Sequence, residues 1–242
     1  MTDPPARPDP DPESNPSPAP SPAPSYDLSS IPLFPLPTVV LFPRAVLPLH
    51  IFEERYKEMT ATALAGDKQV AMALLKPGWE RDYYHRPAIE RVVCVGTILS
   101  HERLPDGKYN FLLQGHTRAR VVRELGDRTY RLAELEPLRQ TSDLEIDLGE
   151  DRQRLERVFT PAFLGASPVG RQFRQLLAGP MRTADVADLI AFNYLDDVPL
   201  KQSLLEETDV RRRVRRILEA LEVSQPALQL AYLRDTAEPD LN

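Results

Sequence analysis

The hydrophobic pattern changes period near the middle of the chain. Up to about residue 140, apolar residues come in short extended runs. Beyond about 145 they recur every three or four residues. IPLFPLPTVVLFP (31–43) is strongly apolar but carries Pro32, Pro35 and Pro37. Proline has no amide hydrogen for a ladder, so the run predicts an interrupted strand or a sheet edge. VLPLHIF (46–52) predicts a second short strand. From Glu53 to Ala65, Tyr56, Met59, Ala63 and Leu64 fall at helical spacing, with Gly66 as the stop. Gln69 to Leu75 predicts a strand, and Ile89 to Leu104 a long extended run. Asp106-Gly107 then supplies a hairpin turn, because glycine tolerates the positive φ such turns demand. Lys108 to Gln114 runs back, and Gly115 predicts a break. Ala119 to Leu125 and Tyr130 to Leu138 predict two more strands. About six short strands with one helix predict a small barrel-like sheet.

The second part is helical. Val210, Val214, Ile217, Leu218 and Leu221 share one helix face, with Asp209 as the N-cap. Val186, Leu189, Ile190 and Tyr194 predict a shorter helix, and Leu155, Val158, Phe159 and Phe163 another. Pro168, Pro180, Pro199 and Pro226 punctuate them. The fold class is therefore α+β. A proline-rich tail (1–30) precedes a β-barrel with one helix (31–140), and a helical bundle (141–235) follows.

Composition sharpens this division. Of the 25 prolines, ten fall between Met1 and Pro24. Proline alternating with Ala, Ser and Asp cannot build a core, so the tail is expected to be disordered or polyproline II. The whole chain carries −6; the tail supplies −4 of it, which leaves the rest nearly neutral. A nucleic-acid coat needs clustered positive charge and is disfavoured. The lone cysteine, Cys94, excludes an intramolecular disulfide and a cysteine-based metal site. No apolar run approaches the roughly 18 residues of a membrane helix, and no secretion signal is visible. A cytoplasmic protein is the expectation.

Catalytic motifs are missing. No G-x-x-x-x-G-K-[ST] or G-x-G-x-x-G occurs, so no backbone cradle for a nucleotide phosphate is encoded. None of His50, His85, His101 and His116 forms H-E-x-x-H, and there is no G-x-S-x-G elbow. Lys201 and Ser203 are two apart and would diverge on a helix, which disfavours a Ser–Lys dyad. His50, after an apolar run, is expected to be partly buried and satisfied. Cys94 reads as a small buried hydrophobe. RRRVRR (211–216) resembles a nucleic-acid patch, yet Val214 belongs to the apolar stripe. The arginines are therefore expected to face outward among Glu206, Glu207, Glu219 and Glu222, with Arg215–Glu219 as an i, i+4 pair. No catalytic, cofactor or metal residue is assigned.

Three segments, in order, resemble the N-terminal domain of Lon proteases. In IPLFPLPTVVLFPRAVLPLHIFEERYKEM (31–59), Pro35-Leu36, Val40, Phe42-Pro43, Pro48-Leu49 and Ile51-Phe52-Glu53 carry the likeness. In 95–122 it is Val95-Gly96-Thr97, Pro105-Asp106-Gly107, Leu113, Gly115 and Arg118. LKQSLLEETDVRRRVRRILEALE (200–222) is the third, and the likeness spans about 31–223. It implies a PUA-like β-barrel followed by a helical bundle, in a stand-alone protein lacking the ATPase and Ser–Lys peptidase modules.

The implied function is non-catalytic binding of unfolded polypeptide or of a protein partner, such as a separate protease or chaperone. An extended peptide could add to a strand edge. Strand 31–43 is the edge candidate, and Phe34, Phe42, Trp79, Tyr83 and Tyr84 are the candidate contact residues. An ATP-independent peptidase and an RNA-binding barrel are the alternative readings.

Overall fold

The computed structural model describes residues 26–82, 85–126, 128–141, 145–160 and 168–237, with 224–237 described by backbone alone. Tail residues 1–25 lie outside it. Residues 26–30, counted with the tail in the sequence, are docked on the barrel. Leu28 is buried and its carbonyl accepts from the Leu135 amide at 2.9 Å.

Six strands form the first part: β1 (Ile31–Leu36), β2 (Val46–Ile51), β3 (Gln69–Leu74), β4 (Val92–Arg103), β5 (Tyr109–Leu125) and β6 (Arg131–Pro137). Helix α1 (Glu54–Ala65) lies between β2 and β3, buries Tyr56, Met59 and Ala63 as its spacing predicts, and ends at Gly66. The strand order is β2-β5-β4-β3-β1-β6, and a β5–β6 pairing closes the barrel.

Gly115 does not break the chain. β5 is one strand of 17 residues. Its first half pairs with β2, its second half with β6, and β4 follows it along most of its length. Gly115 instead allows a close approach. A Cβ there would stand 2.2 Å from the Phe42 carbonyl oxygen, so no larger residue fits without moving backbone. Gly107, at φ +80°, makes the predicted hairpin turn.

The edge expectation for 31–43 is overturned. β1 is flanked by β3 on one side and β6 on the other, and residues 37–45 are not strand. Its prolines are tolerated by a staggered register. Backbone groups alternate sides along a strand, and the Leu36 carbonyl accepts from Leu75 on the β3 side. Pro32 therefore faces β3, whose pairing starts only at Leu33. Pro35 faces β6, whose pairing ends at Leu33. Each missing amide hydrogen falls where no neighbouring strand asks for it.

The second part contains α2 (Gly149–Val158), α3 (Pro168–Ala178), α4 (Thr183–Tyr194), α5 (Val198–Glu206) and α6 (Val210–Ala237). Asp209 caps α6 through the Arg212 amide, as its sequence position predicts. Pro168 opens α3, a helix the sequence pattern did not resolve. Two of the basic-cluster expectations fail. Arg213 is fully buried, and Arg215 lies 3.6 Å from Asp151 instead of pairing with Glu219.

Arg213 belongs to a buried ionic hub between barrel and helices. Asp188 Oδ1 on α4 accepts from Arg118 Nη2 of β5 at 2.7 Å and from Arg213 Nε of α6 at 3.0 Å. Arg118 Nε also donates to the Leu205 carbonyl at 3.1 Å. Arg213 donates to the Glu207 carbonyl at 2.7 Å and to Gln140 Oε1 at 2.6 Å. One carboxylate thus ties a barrel strand to two helices. Charges this deep are kept only when paired and hydrogen-bonded.

Candidate functional site

The open edge of the sheet is β2. It pairs with β5 alone among the described residues. The Gly115 amide donates to the Ala45 carbonyl. By alternation, Leu47, Leu49 and Ile51 face β5, while Val46, Pro48 and His50 turn their backbone groups outward. Pro48 thereby removes one donor from the free edge without costing a ladder bond. The carbonyls of 46, 48 and 50 and the amides of 46 and 50 remain available to an added strand. A proline on an exposed edge is a recognised brake on indiscriminate pairing.

The same alternation places side chains. Leu47, Leu49 and Ile51 point into the core, and Val46, Pro48 and His50 point out. Phe52 continues the outer row. It is 60% exposed, and its ring lies 6.2 Å from that of His50. Across the ribbon, Pro48 faces Leu112 and then Ser100; His50 faces Asn110 and then Glu102. A register shift between Ile98 and Ser100 leaves Leu99 unpaired and 54% exposed. Val46 and Leu112 are each 39% exposed.

The result is an outward apolar face beside an open edge, with a groove of about 440 Å³ between Pro48, His50, Ser100 and Leu112. Covering Phe52 alone would remove on the order of 100 Å² of apolar surface, or about 2–3 kcal/mol. His50 is exposed, not partly buried, and its Nδ1 bonds Asn110 Oδ1 at 2.7 Å. That bond fixes the imidazole as a polar marker within the apolar row.

The candidate aromatics are scattered. Phe34 and Phe42 are core residues; Phe34 packs on Tyr56 with ring centroids 4.6 Å apart. Trp79 sits in a short 3-10 turn and lines a separate cleft beside α5. Tyr83 and Tyr84 lie outside the described residues. Val46, Phe52, Leu99 and Leu112 were missed because alternating apolar residues look the same whether they face core or solvent.

The reactive side chains are engaged elsewhere. Lys201 Nζ donates to the Phe192 carbonyl at 2.9 Å, and burial lowers its pKa. Ser203 Oγ donates to the Leu200 carbonyl and accepts from Arg216. The two do not touch. Burial pushes the Cys94 thiol up to about 12, so it stays protonated. Among the described residues no group of three His, Cys, Asp or Glu could hold a metal ion. No helix there is long and apolar enough to cross a membrane.

Residues 30–223 match the family model described as the ATP-dependent protease La (LON) substrate-binding domain. The Lon protease of Dictyoglomus thermophilum is 27% identical over 204 residues, which cover 83% of this chain and 25% of that protein. Lon protease 1 of Syntrophobacter fumaroxidans is 27% identical over 78% of this chain and 23% of its own length. The chain thus spans about a quarter of the length of these curated relatives. The Lon N-terminal domain protein from Xanthomonas campestris superposes with a TM-score of 0.58 at 25% identity, covering 79% of this chain and 98% of that one. The N-terminal domain of a Mycobacterium avium complex Lon protease superposes with a TM-score of 0.62 at 16% identity, over 80% of this chain and 98% of that one, a likeness of fold.

Proposed function

Because the chain belongs to the Lon substrate-binding domain family, we propose that it is a non-catalytic module that binds unfolded polypeptide along β2. The observation that carries this reading is the coincidence of an open strand edge with an exposed apolar face at Val46, Phe52, Leu99 and Leu112. An extended segment would take backbone hydrogen bonds from 46 and 50 and lay alternate side chains beside Pro48 and Phe52. The contacts are few and generic. They fit recognition of apolar, non-native segments better than recognition of one sequence. Folded proteins bury most such runs and protect their strand edges, whereas unfolded chains expose both. A separate protease or chaperone that receives the bound chain completes the proposal.

The peptidase alternative has little geometric support, since Lys201 and Ser203 serve separate backbone contacts. The test is fluorescence anisotropy with a labelled, permanently unfolded protein and its folded form as control, followed by a gel. Saturable binding of the unfolded form alone, with the label uncut, is expected. Leu112→Asp should weaken binding by about tenfold and Phe52→Ser by about thirtyfold or more, since they remove roughly 1.5 and 2–3 kcal/mol of apolar contact. Both positions are exposed, so the unfolding midpoint should hold. Binding indifferent to both substitutions, or cleavage of the label, would refute the reading.

A further inference from the structure

A second cleft, larger than the β2 groove, stands elsewhere on the molecule. It lies between the end of β3, the turn carrying Trp79 and the start of α5, and its volume is about 530 Å³. That falls within the roughly 300–1,000 Å³ of ordinary ligand sites, which favour junctions between packed units. Its walls are apolar: Trp79, Leu75, Val198 and Pro199. Gly78, at φ +87°, turns the chain just before Trp79.

The opposite wall is fixed. Asp197 caps α5 through the Leu200 amide at 2.8 Å, and Gln202 Nε2 pins α5 to the Val92 carbonyl at 3.0 Å. The α5 wall of the cleft is therefore held in place.

Its charges have one sign. Glu90 and Glu206 line it, and among the described residues no Lys, Arg or His does. Glu90 Oε2 has Lys76 Nζ at 3.6 Å, just outside the lining. Arg216 is held by Ser203. Glu206 is exposed and accepts only from the neutral Gln202 amide, at 2.8 Å, so it has no cation among the described residues. An apolar cleft with an unneutralised carboxylate at its wall and a tryptophan beside it suits a cation with an apolar body.

We infer that this cleft is a second polypeptide-binding site, and that it takes a large apolar side chain adjacent to an arginine or lysine. The inference rests on the polypeptide-binding reading and adds a sequence preference to it. The β2 face supplies generic apolar affinity. The Trp79 cleft selects segments in which a basic residue flanks the apolar one.

Trp79 is the only tryptophan in the chain, so its emission reports on the cleft directly. The probe is the octapeptide GSRLFKSG, with GSELFESG as control, titrated into the full chain. A saturable change in Trp79 emission with the basic peptide alone is expected. Glu206→Gln should weaken that binding by about three- to fivefold, the worth of a partly exposed ion pair. Its unfolding midpoint should stay in place, and Leu112→Asp should leave the peptide response intact.

An equal response to both peptides, or no effect of Glu206→Gln, overturns the inference. The unfolded-protein titration is run on the same preparation. If that protein binds in a Leu112-dependent way while neither peptide moves the Trp79 emission, the cleft inference falls and the β2 reading stands. If neither ligand binds, both fall.

Discussion

Replacing Asp188 by Asn keeps the shape of the side chain and an acceptor oxygen but removes the charge that two buried arginines share. Side-chain exposure is 1% for Arg118, 0% for Arg213 and 2% for Asp188, so water cannot compensate. At charge separations of about 4 Å and an effective dielectric near 20, each attraction is worth about 4 kcal/mol. Repulsion between the two guanidiniums offsets part of the second. A loss of about 3–5 kcal/mol follows, the range for stripping one partner from a buried ion pair. The damage falls unevenly. Arg213 keeps its bonds to Glu207 and Gln140, whereas Arg118 keeps the Leu205 carbonyl and the Phe42 ring 5.9 Å away and already has an unpartnered Nη1. Urea unfolding is the assay. With a slope of about 2–3 kcal/mol/M, the midpoint should fall by about 1–2.5 M. Adding Arg118→Met should not deepen the loss, because it removes the stranded charge. A midpoint within about 0.3 M of wild type, or additive losses in the double variant, would refute this account of the hub.

Two further predictions come from the barrel. Gly115→Ala drives a Cβ into the Phe42 carbonyl and should cost about 3 kcal/mol, lowering Tm by about 6–12 °C. Gly126→Ala, with no atom within 4 Å of the new Cβ, should leave it unchanged; equal Tm values for the two would sink the steric argument. Burial holds the His116 imidazole down at about 4, against its ordinary 6.5. The unfolded chain takes up a proton below 6.5 while the folded chain resists until about 4. His116 therefore contributes stability above pH 6.5 that is lost as pH falls toward 4. His116→Phe should narrow the gap between pH 7 and pH 4.5 stabilities; an unchanged gap in denaturant titrations at the two pH values would contradict this.

Local signals in the sequence held where local physics decides the outcome. The Asp106-Gly107 turn, the spacing of Tyr56, Met59 and Ala63, and the Asp209 cap all depend on near neighbours, and each appears as expected. The strand edge failed because Pro32 and Pro35 are excused by where β3 and β6 stop, and strand order is not encoded locally. Arg213 failed for the same reason, since its carboxylate partner lies 25 residues away and Arg118's lies 70 away. Strand addition could be named as a binding mode, but the sequence puts its edge at 31–43, whereas the open edge is β2. Val46 and Leu112 carry the same alternation as their buried neighbours, and only the topology says which side is wet.

The hub also sets an order of assembly. Every strand of the barrel has been made once Pro137 is reached, so the sheet can close while the helices are still unsynthesised. Asp188 follows Pro137 by about 50 residues, which at roughly 5–20 residues per second is about 3–10 s of translation. For that interval the nascent barrel carries an uncompensated guanidinium on the surface destined to meet the helices. That charge keeps the unfinished face hydrated and discourages it from sticking to neighbouring chains. Arrival of α4 then neutralises it and commits the two halves to each other.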